Sequence, residues 1–91
     1  MVNKLRVCWV PQVPMNAFYV DVVSVEEAAK IMDILARYDL FQFENKVKPD
    51  YCNFGGLEMF EDGEWIGWED EETGISDPIQ YIEYMQGANH A

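Results

Sequence analysis

The segment "LEMFEDGEWIGW", residues 57–68, decides the fold, because it sets its own register. Asp62 followed by Gly63 is the two-residue signal of a type I′ turn, which needs positive φ at both positions. With the turn centred there, Glu61 faces Glu64, Phe60 faces Trp65, Met59 faces Ile66, Glu58 faces Gly67 and Leu57 faces Trp68. One surface of this hairpin carries Leu57, Trp68, Met59 and Ile66, and we expect it to face a core. The opposite surface carries Phe60 and Trp65 beside Glu58, with Gly67 leaving open space. That aromatic pair has two readings from sequence: an anchor for a partner, or a cross-strand pair covered by the last helix.

Working back toward the N-terminus, "KLRVCWV" (4–10) and "FYVDVV" (18–23) alternate as half-buried strands do. "PQVP" (11–14) separates them with a segment that cannot ladder. "SVEEAAKIMDILARYDL" (24–40) opens with the capping box Ser24 and Glu27. It continues with an apolar stripe of Val25, Ala28, Ala29, Met32, Leu35 and Ala36, which predicts a helix over 25–38. Glu26 with Lys30, and Asp33 with Arg37, are four-apart ion pairs in the favoured order. "LFQFENK" (40–46) puts Phe41 and Phe43 on one face of an expected further strand. "KVKPDYCNFGG" (46–56) reads as a turn-rich connection through Pro49 and the pair Gly55 and Gly56, with Tyr51 and Phe54 anchoring it. Beyond the hairpin, "EDEETGISDP" (69–78) is polar. Ser76 or Asp77 can cap a short final helix that has Pro78 in its first turn and Ile79, Ile82 and Met85 on its apolar face. Residues 86–91 are expected to fray. The fold class expected is α+β, with a mostly antiparallel sheet of about five strands, one long helix packed on a face and a short C-terminal helix. Ninety-one residues suit a single domain, 1–91.

The charge is divided more sharply than its total of −11 suggests. Residues 1–48 balance six basic against six acidic side chains, and residues 49–91 hold eleven carboxylates and no Lys or Arg. Concentrating one sign costs self-repulsion and argues for a cationic partner or for exclusion of anions. The candidate binding residues are therefore Glu58, Phe60, Glu61, Asp62, Glu64, Trp65, Glu69, Asp70, Glu71 and Glu72. A solvated edge that resists strand-to-strand aggregation is the plainer reading of the same acids. DNA carries one charge per roughly 1.7 Å, so eleven carboxylates match about 19 Å of duplex and suit a basic groove on another protein.

Other chemistry lacks its residues. The lone histidine, His90, sits in a polar tail, so no nucleophile–histidine arrangement and no catalytic residue is expected. No cofactor and no metal site are expected either. Cys8 and Cys52 are too few for a metal site of their own and read as reduced thiols. The six cations are scattered, which disfavours direct nucleic-acid binding. No apolar run approaches the length of a membrane span, and the N-terminus lacks a signal peptide's pattern, so a cytosolic protein is expected.

"KLRVCWVPQVPMNAFYVDV" (4–22) and "YDLFQFENKVKPDYCNFGGLEMFEDGEW" (38–65) resemble small acidic proteins encoded by bacteriophages and prophages, some of which are labelled superinfection exclusion protein. The likeness is strongest over "FQFENKVKPDYCN" (41–53). The resemblance implies a phage accessory protein in a bacterial cytoplasm, one that blocks a host defence or a competing phage. The reading that follows is a non-enzymatic inhibitor or modulator that meets a basic protein surface through its acidic, aromatic-bearing half. Two alternatives stand beside it. One is a sponge that sequesters a small signalling nucleotide in an oligomer pocket, which the excess acid opposes unless Lys4, Arg6, Lys46 and Lys48 converge on one site. The other is a homo-oligomeric structural or accessory component.

Overall fold

A computed structural model describes residues 4–49 and 52–90. Strand β1 (Leu5–Val10) is followed by β2 (Phe18–Val22), helix α1 (Val25–Glu44), β3 (Phe54–Glu61), β4 (Glu64–Gly67) and helix α2 (Pro78–His90). The strands form one antiparallel sheet in the order β2-β1-β3-β4. Among the described residues it has four strands, not the five expected. The hairpin keeps the expected register from Glu58 opposite Gly67 to Glu61 opposite Glu64. Asp62 at φ 53 and Gly63 at φ 82 supply the two left-handed residues of the turn.

The missing strand is the segment 40–46, which continues α1 instead. Its Phe41 and Phe43 alternate, but nothing before them stops a helix. Asp39, buried at 4 % exposure, is held inside α1 by a hydrogen bond from the Trp9 indole Nε1 at 2.8 Å. The helix stops six residues beyond the expected Tyr38, at Glu44. There the amide of Lys46 donates to the carbonyl of Phe43 and that of Val47 to the carbonyl of Gln42, at 3.0 and 2.8 Å. Lys46 takes the left-handed conformation at φ 62 that such a C-terminal turn requires. The Ser24 half of the capping box forms, with the Glu27 amide donating to Ser24 Oγ, while the Glu27 carboxylate accepts from the Val23 amide, one residue before the cap. Asp33 and Arg37 pair at 3.0 Å. Among the described residues the expected Glu26–Lys30 pair does not form.

Gly55 and Gly56 lie in β3 and not in the turn-rich connection that the sequence suggests. Gly55 pairs with Trp9, and a Cβ there would stand 2.2 Å from the Trp9 ring. The glycine is required because the indole occupies its side-chain space. Phe54 opens β3 and is 64 % exposed, so it does not anchor to the core. Tyr51 lies outside the described residues.

The core has one layer. Val7, Trp9 and Leu57 from the sheet, with Val22, meet Ala28 and Met32 of α1. Ile79 of α2 and Trp68 pack against them from the β3–β4 side. Asp77, one of the two expected caps, accepts from the Ile79 amide at the start of α2. Both helices therefore cover one face of the sheet, and the molecule is only 19 Å across its thin axis. Among the described residues no element lies over the other face of the sheet.

Candidate functional site

The uncovered face is fixed by the strand alternation. Leu5, Val7 and Trp9 turn toward the helices, so Arg6 and Cys8 turn outward. The cross-strand partners of Arg6 are Asp21 on β2 and Glu58 on β3, and Glu58 in turn faces Gly67 on β4. Tyr19, Phe60 and Trp65 fall on this same side.

Arg6 organises them. Its guanidinium lies 3.9 Å from the centre of the Tyr19 ring and 4.1 Å from that of Trp65, so it is stacked between two aromatic faces. Its Nε donates to Glu58 Oε1 at 2.7 Å. Trp65 meets Phe60 edge to face at 5.3 Å, and the Lys4 ammonium stands over Phe60 at 5.8 Å. A strip of side chains thus crosses the sheet from β2 to β4. Cation–π contacts contribute about 0.5–1 kcal/mol at exposed sites such as Lys4, rising to about 2 kcal/mol where desolvated. The half-buried Arg6 stack therefore does most to hold Trp65 in place before anything binds. A Cβ added at Gly56 or Gly67, either side of Glu58, would meet nothing within 4 Å, so both leave bare backbone at the strip's edge. A shallow recess of about 380 Å³ opens beside Lys4, Asp21 and Trp65.

Of the residues expected to bind, Glu58, Phe60 and Trp65 come together here. Phe60 and Trp65 are half-buried and neither described helix covers them, since α2 lies on the other side. Glu58 is engaged by Arg6, so its charge is largely neutralised within the fold. The remaining acids are elsewhere. Glu61 and Glu64 are exposed at the hairpin tip, one alternation away from Phe60 and Trp65 and hence toward the helix side. Asp62 is in the turn itself.

Asp70 builds a turn of its own: its carboxylate accepts from the Thr73 amide and hydroxyl at 3.0 and 2.8 Å. Glu69, Glu71 and Glu72 project to solvent beside Met59 and Trp68. This turn lies close to α2. The Tyr81 hydroxyl is pushed above its ordinary pKa by burial and by Asp70, Glu26 and Glu72, and its ring meets Trp68 edge to face. Among the described residues no group of three or more His, Cys, Asp or Glu side chains is placed to hold a metal ion. None of the described helices is long and apolar enough to cross a membrane.

Sequence reasoning missed Tyr19, and named Arg6 and Lys4 only as anion-binding cations of the sponge alternative, not as parts of this strip. The signal was present in the outward register of 4–10, but the pairing of β1 with β3 is a tertiary fact. It also missed a buried polar cluster at the far end of β1. Asp39 accepts from Trp9, from Lys48 Nζ at 2.7 Å and from Asn53 at 3.1 Å, while Lys48 also donates to the Pro11 carbonyl. Lys48 is committed there, and Lys4 sits beyond the opposite end of β1, about 17 Å away by strand rise. The four cations that the sponge alternative needs at one site therefore do not converge within one chain.

The geometry defines a two-layer α+β protein with a cation-braced aromatic strip on its open sheet face. Its kinship is plain from comparison: the model of the family described as superinfection exclusion gene product 17 matches residues 4–87, and the chain belongs to that family. The superinfection exclusion protein of Salmonella phage P22 is 46 % identical over 96 aligned residues, spanning 91 % of this chain and 93 % of that protein. No solved structure matches it.

Proposed function

We propose that this chain acts in superinfection exclusion inside the infected bacterium, and that it does so without catalysis, by binding a host or competing-phage protein through the β3–β4 hairpin. The observation that supports this is the Phe60–Trp65 pair, half-exposed on a sheet face that neither described helix covers and braced by Arg6. Interfaces favour aromatic anchors that are already rigid, because little side-chain entropy remains to be lost. The exposed carboxylates Glu61, Asp62, Glu64, Glu69, Glu71 and Glu72 border the hairpin and select a basic partner by steering and by repulsion of anionic competitors.

The test is phage challenge of cells that express the chain. Phe60→Ala and Trp65→Ala, each checked for a native circular dichroism spectrum, are expected to abolish exclusion. Neutralising the six bordering acids to amides is expected to weaken it and to remove the salt dependence of partner binding. Full exclusion by folded Phe60→Ala and Trp65→Ala proteins would overturn the assignment of the anchors.

A further inference from the structure

The flank opposite the acidic hairpin carries a different surface. Strand β2 is an edge strand and, among the described residues, pairs only with β1. It has no Lys and no Pro to deter another strand, and such an edge is a template for pairing. Helix α1 runs back along the sheet from the end of β2 until Asp39 reaches Trp9, the cross-strand partner of Phe18. Helix α2 packs on the β3–β4 side of α1, where Tyr81 meets Trp68. The side of α1 turned away from α2 is thus the side above β2. That side displays Ile34, Tyr38 and Phe41, at helical spacing and 42, 57 and 59 % exposed. Phe18, on the helix-facing side of β2, is 55 % exposed.

We infer that two copies of this chain associate through β2, forming a continuous eight-stranded sheet about a two-fold axis at Val20. In that register Phe18 of one copy lies opposite Val22 of the other, and Tyr19 lies opposite Asp21, so the two Asp21 carboxylates do not face each other. The two α1 helices, each seated over β1, stand three strand spacings apart, about 14 Å. That is wider than the 8–10 Å of directly packed helices. Only large side chains span it, and the stripe supplies Ile34, Tyr38 and Phe41.

A half-exposed aromatic side chain leaves about 100 Å² to cover, so Phe18, Tyr38 and Phe41 offer roughly 300 Å² per copy, to which Ile34 adds a smaller share. The strand edge and its polar border bring this near the ~800 Å² each partner gives to a standard interface. Lys30 and Asp33 line the groove between α1 and α2. The carboxylates on this flank are therefore Asp21 and Glu27, far fewer than the unbalanced acids around the β4 edge and the turn after it. The dimer surface includes neither Phe60 nor Trp65; it shares Tyr19 with the strip, so the test substitutes Ile34 and Tyr38, which lie outside that strip.

Light scattering after size exclusion tests it. At about 100 µM, above the micromolar Kd of the weaker interfaces of this size, the full chain is expected to run at twice its 10.6 kDa. Tyr38→Glu and Ile34→Glu are expected to run at 10.6 kDa with an unchanged circular dichroism spectrum, since both side chains are already solvent-facing. Phe54→Glu, equally exposed but on the other face of the sheet, is expected to leave the dimer intact. Hydrogen exchange at the β2 amides is expected to slow as concentration rises. A monomeric wild-type chain at that concentration, or a dimer that survives Tyr38→Glu and Ile34→Glu, would overturn the inference.

Discussion

Removing the Asp39 carboxylate should cost this protein a large share of its stability. Asp39 is 4 % exposed and accepts from Trp9, Lys48 and Asn53. Asp39→Ala leaves a buried ammonium, an indole N–H and an amide without their acceptor. Truncating one partner of a buried ion pair costs about 3–5 kcal/mol, and Lys48 keeps the Pro11 carbonyl, so the lower end, about 3 kcal/mol, applies. A domain of this size has about 5–14 kcal/mol in total. With a urea slope of about 1.3 kcal/mol/M, the midpoint should fall by roughly 2 M. Adding Lys48→Met to Asp39→Ala should cost little more, because the ammonium has already lost its counter-charge.

The pH dependence of Asp39 has a definite sign. Burial pushes its carboxyl up, but the hydrogen bonds from Lys48, Trp9 and Asn53 and the Lys48 charge outweigh burial and hold it below the ordinary 3.8. A lowered folded pKa contributes stability above the unfolded value, and the contribution is lost as pH falls through the folded one. Urea midpoints from circular dichroism at pH 7 and below pH 4 measure both effects. A loss of less than about 1 kcal/mol for Asp39→Ala, no more than one ordinary hydrogen bond, would refute the reasoning.

Gly55→Ala should destabilise by about 1–3 kcal/mol, since its Cβ meets the Trp9 ring at 2.2 Å, whereas Gly56→Ala, which meets nothing, should stay within about 0.5 kcal/mol; thermal melts of the two decide it. Arg6→Lys keeps the charge but loses the planar stack between Tyr19 and Trp65, and a loss of about 1 kcal/mol with a changed Trp fluorescence spectrum is expected. A disulfide-exchange reagent should label exposed Cys52 quickly and Cys8 at least about tenfold more slowly, because burial and Glu58 raise the Cys8 thiol pKa against the opposing pull of Arg6. Moderate salt should raise the melting temperature by screening Asp70, Glu72 and Glu26 around Tyr81, and a flat salt response would mean that those carboxylates are already neutralised.

What was legible in the sequence was local. The Asp62–Gly63 turn fixed every pairing of the hairpin because turn geometry and alternation are properties of a dozen adjacent residues. The Ser24–Glu27 cap started α1 for the same reason. The end of α1 was not legible. Phe41 and Phe43 satisfy a two-residue period, and the features that extend the helix past them are distant: Trp9 bonds Asp39 from 30 residues away. Lys46 closes the helix in a conformation usually left to Gly or Asn, so no glycine marks the stop. Gly55 misleads for a related reason. A glycine pair reads as a turn until the aromatic ring that needs the space is known.

The candidate site divides for a reason that alternation explains. Its ten residues are close neighbours in sequence, yet the strand pleat sends Phe60 and Trp65 to one side and Glu61 and Glu64 to the other. The neutral half also folds one cation onto the acidic half, where Arg6 pairs with Glu58, while Arg37 and Lys48 pair with Asp33 and Asp39 of their own half. The excess negative charge is consequently not spread over the C-terminal half. It gathers at the hairpin tip and in the turn after β4, along one edge of the sheet.

That placement makes the two edges of the sheet unlike. On the β4 side, Glu61 opposes Glu64 in the last cross-strand pair before the turn. Like charges there weaken the hairpin, and they also repel any strand that approaches, which is how exposed edges are commonly protected. Strand β2 carries a single carboxylate, Asp21, which the two-fold register sets opposite Tyr19 and not opposite its own copy. It offers Phe18 and Tyr19, with α1 displaying Ile34, Tyr38 and Phe41 above it. A chain with eleven surplus negative charges could readily have guarded both edges. Guarding one with carboxylates at a cost in stability, while leaving the other with a lone strand carboxylate beside an apolar stripe, is the pattern expected when one edge must stay free of strands and the other must meet one.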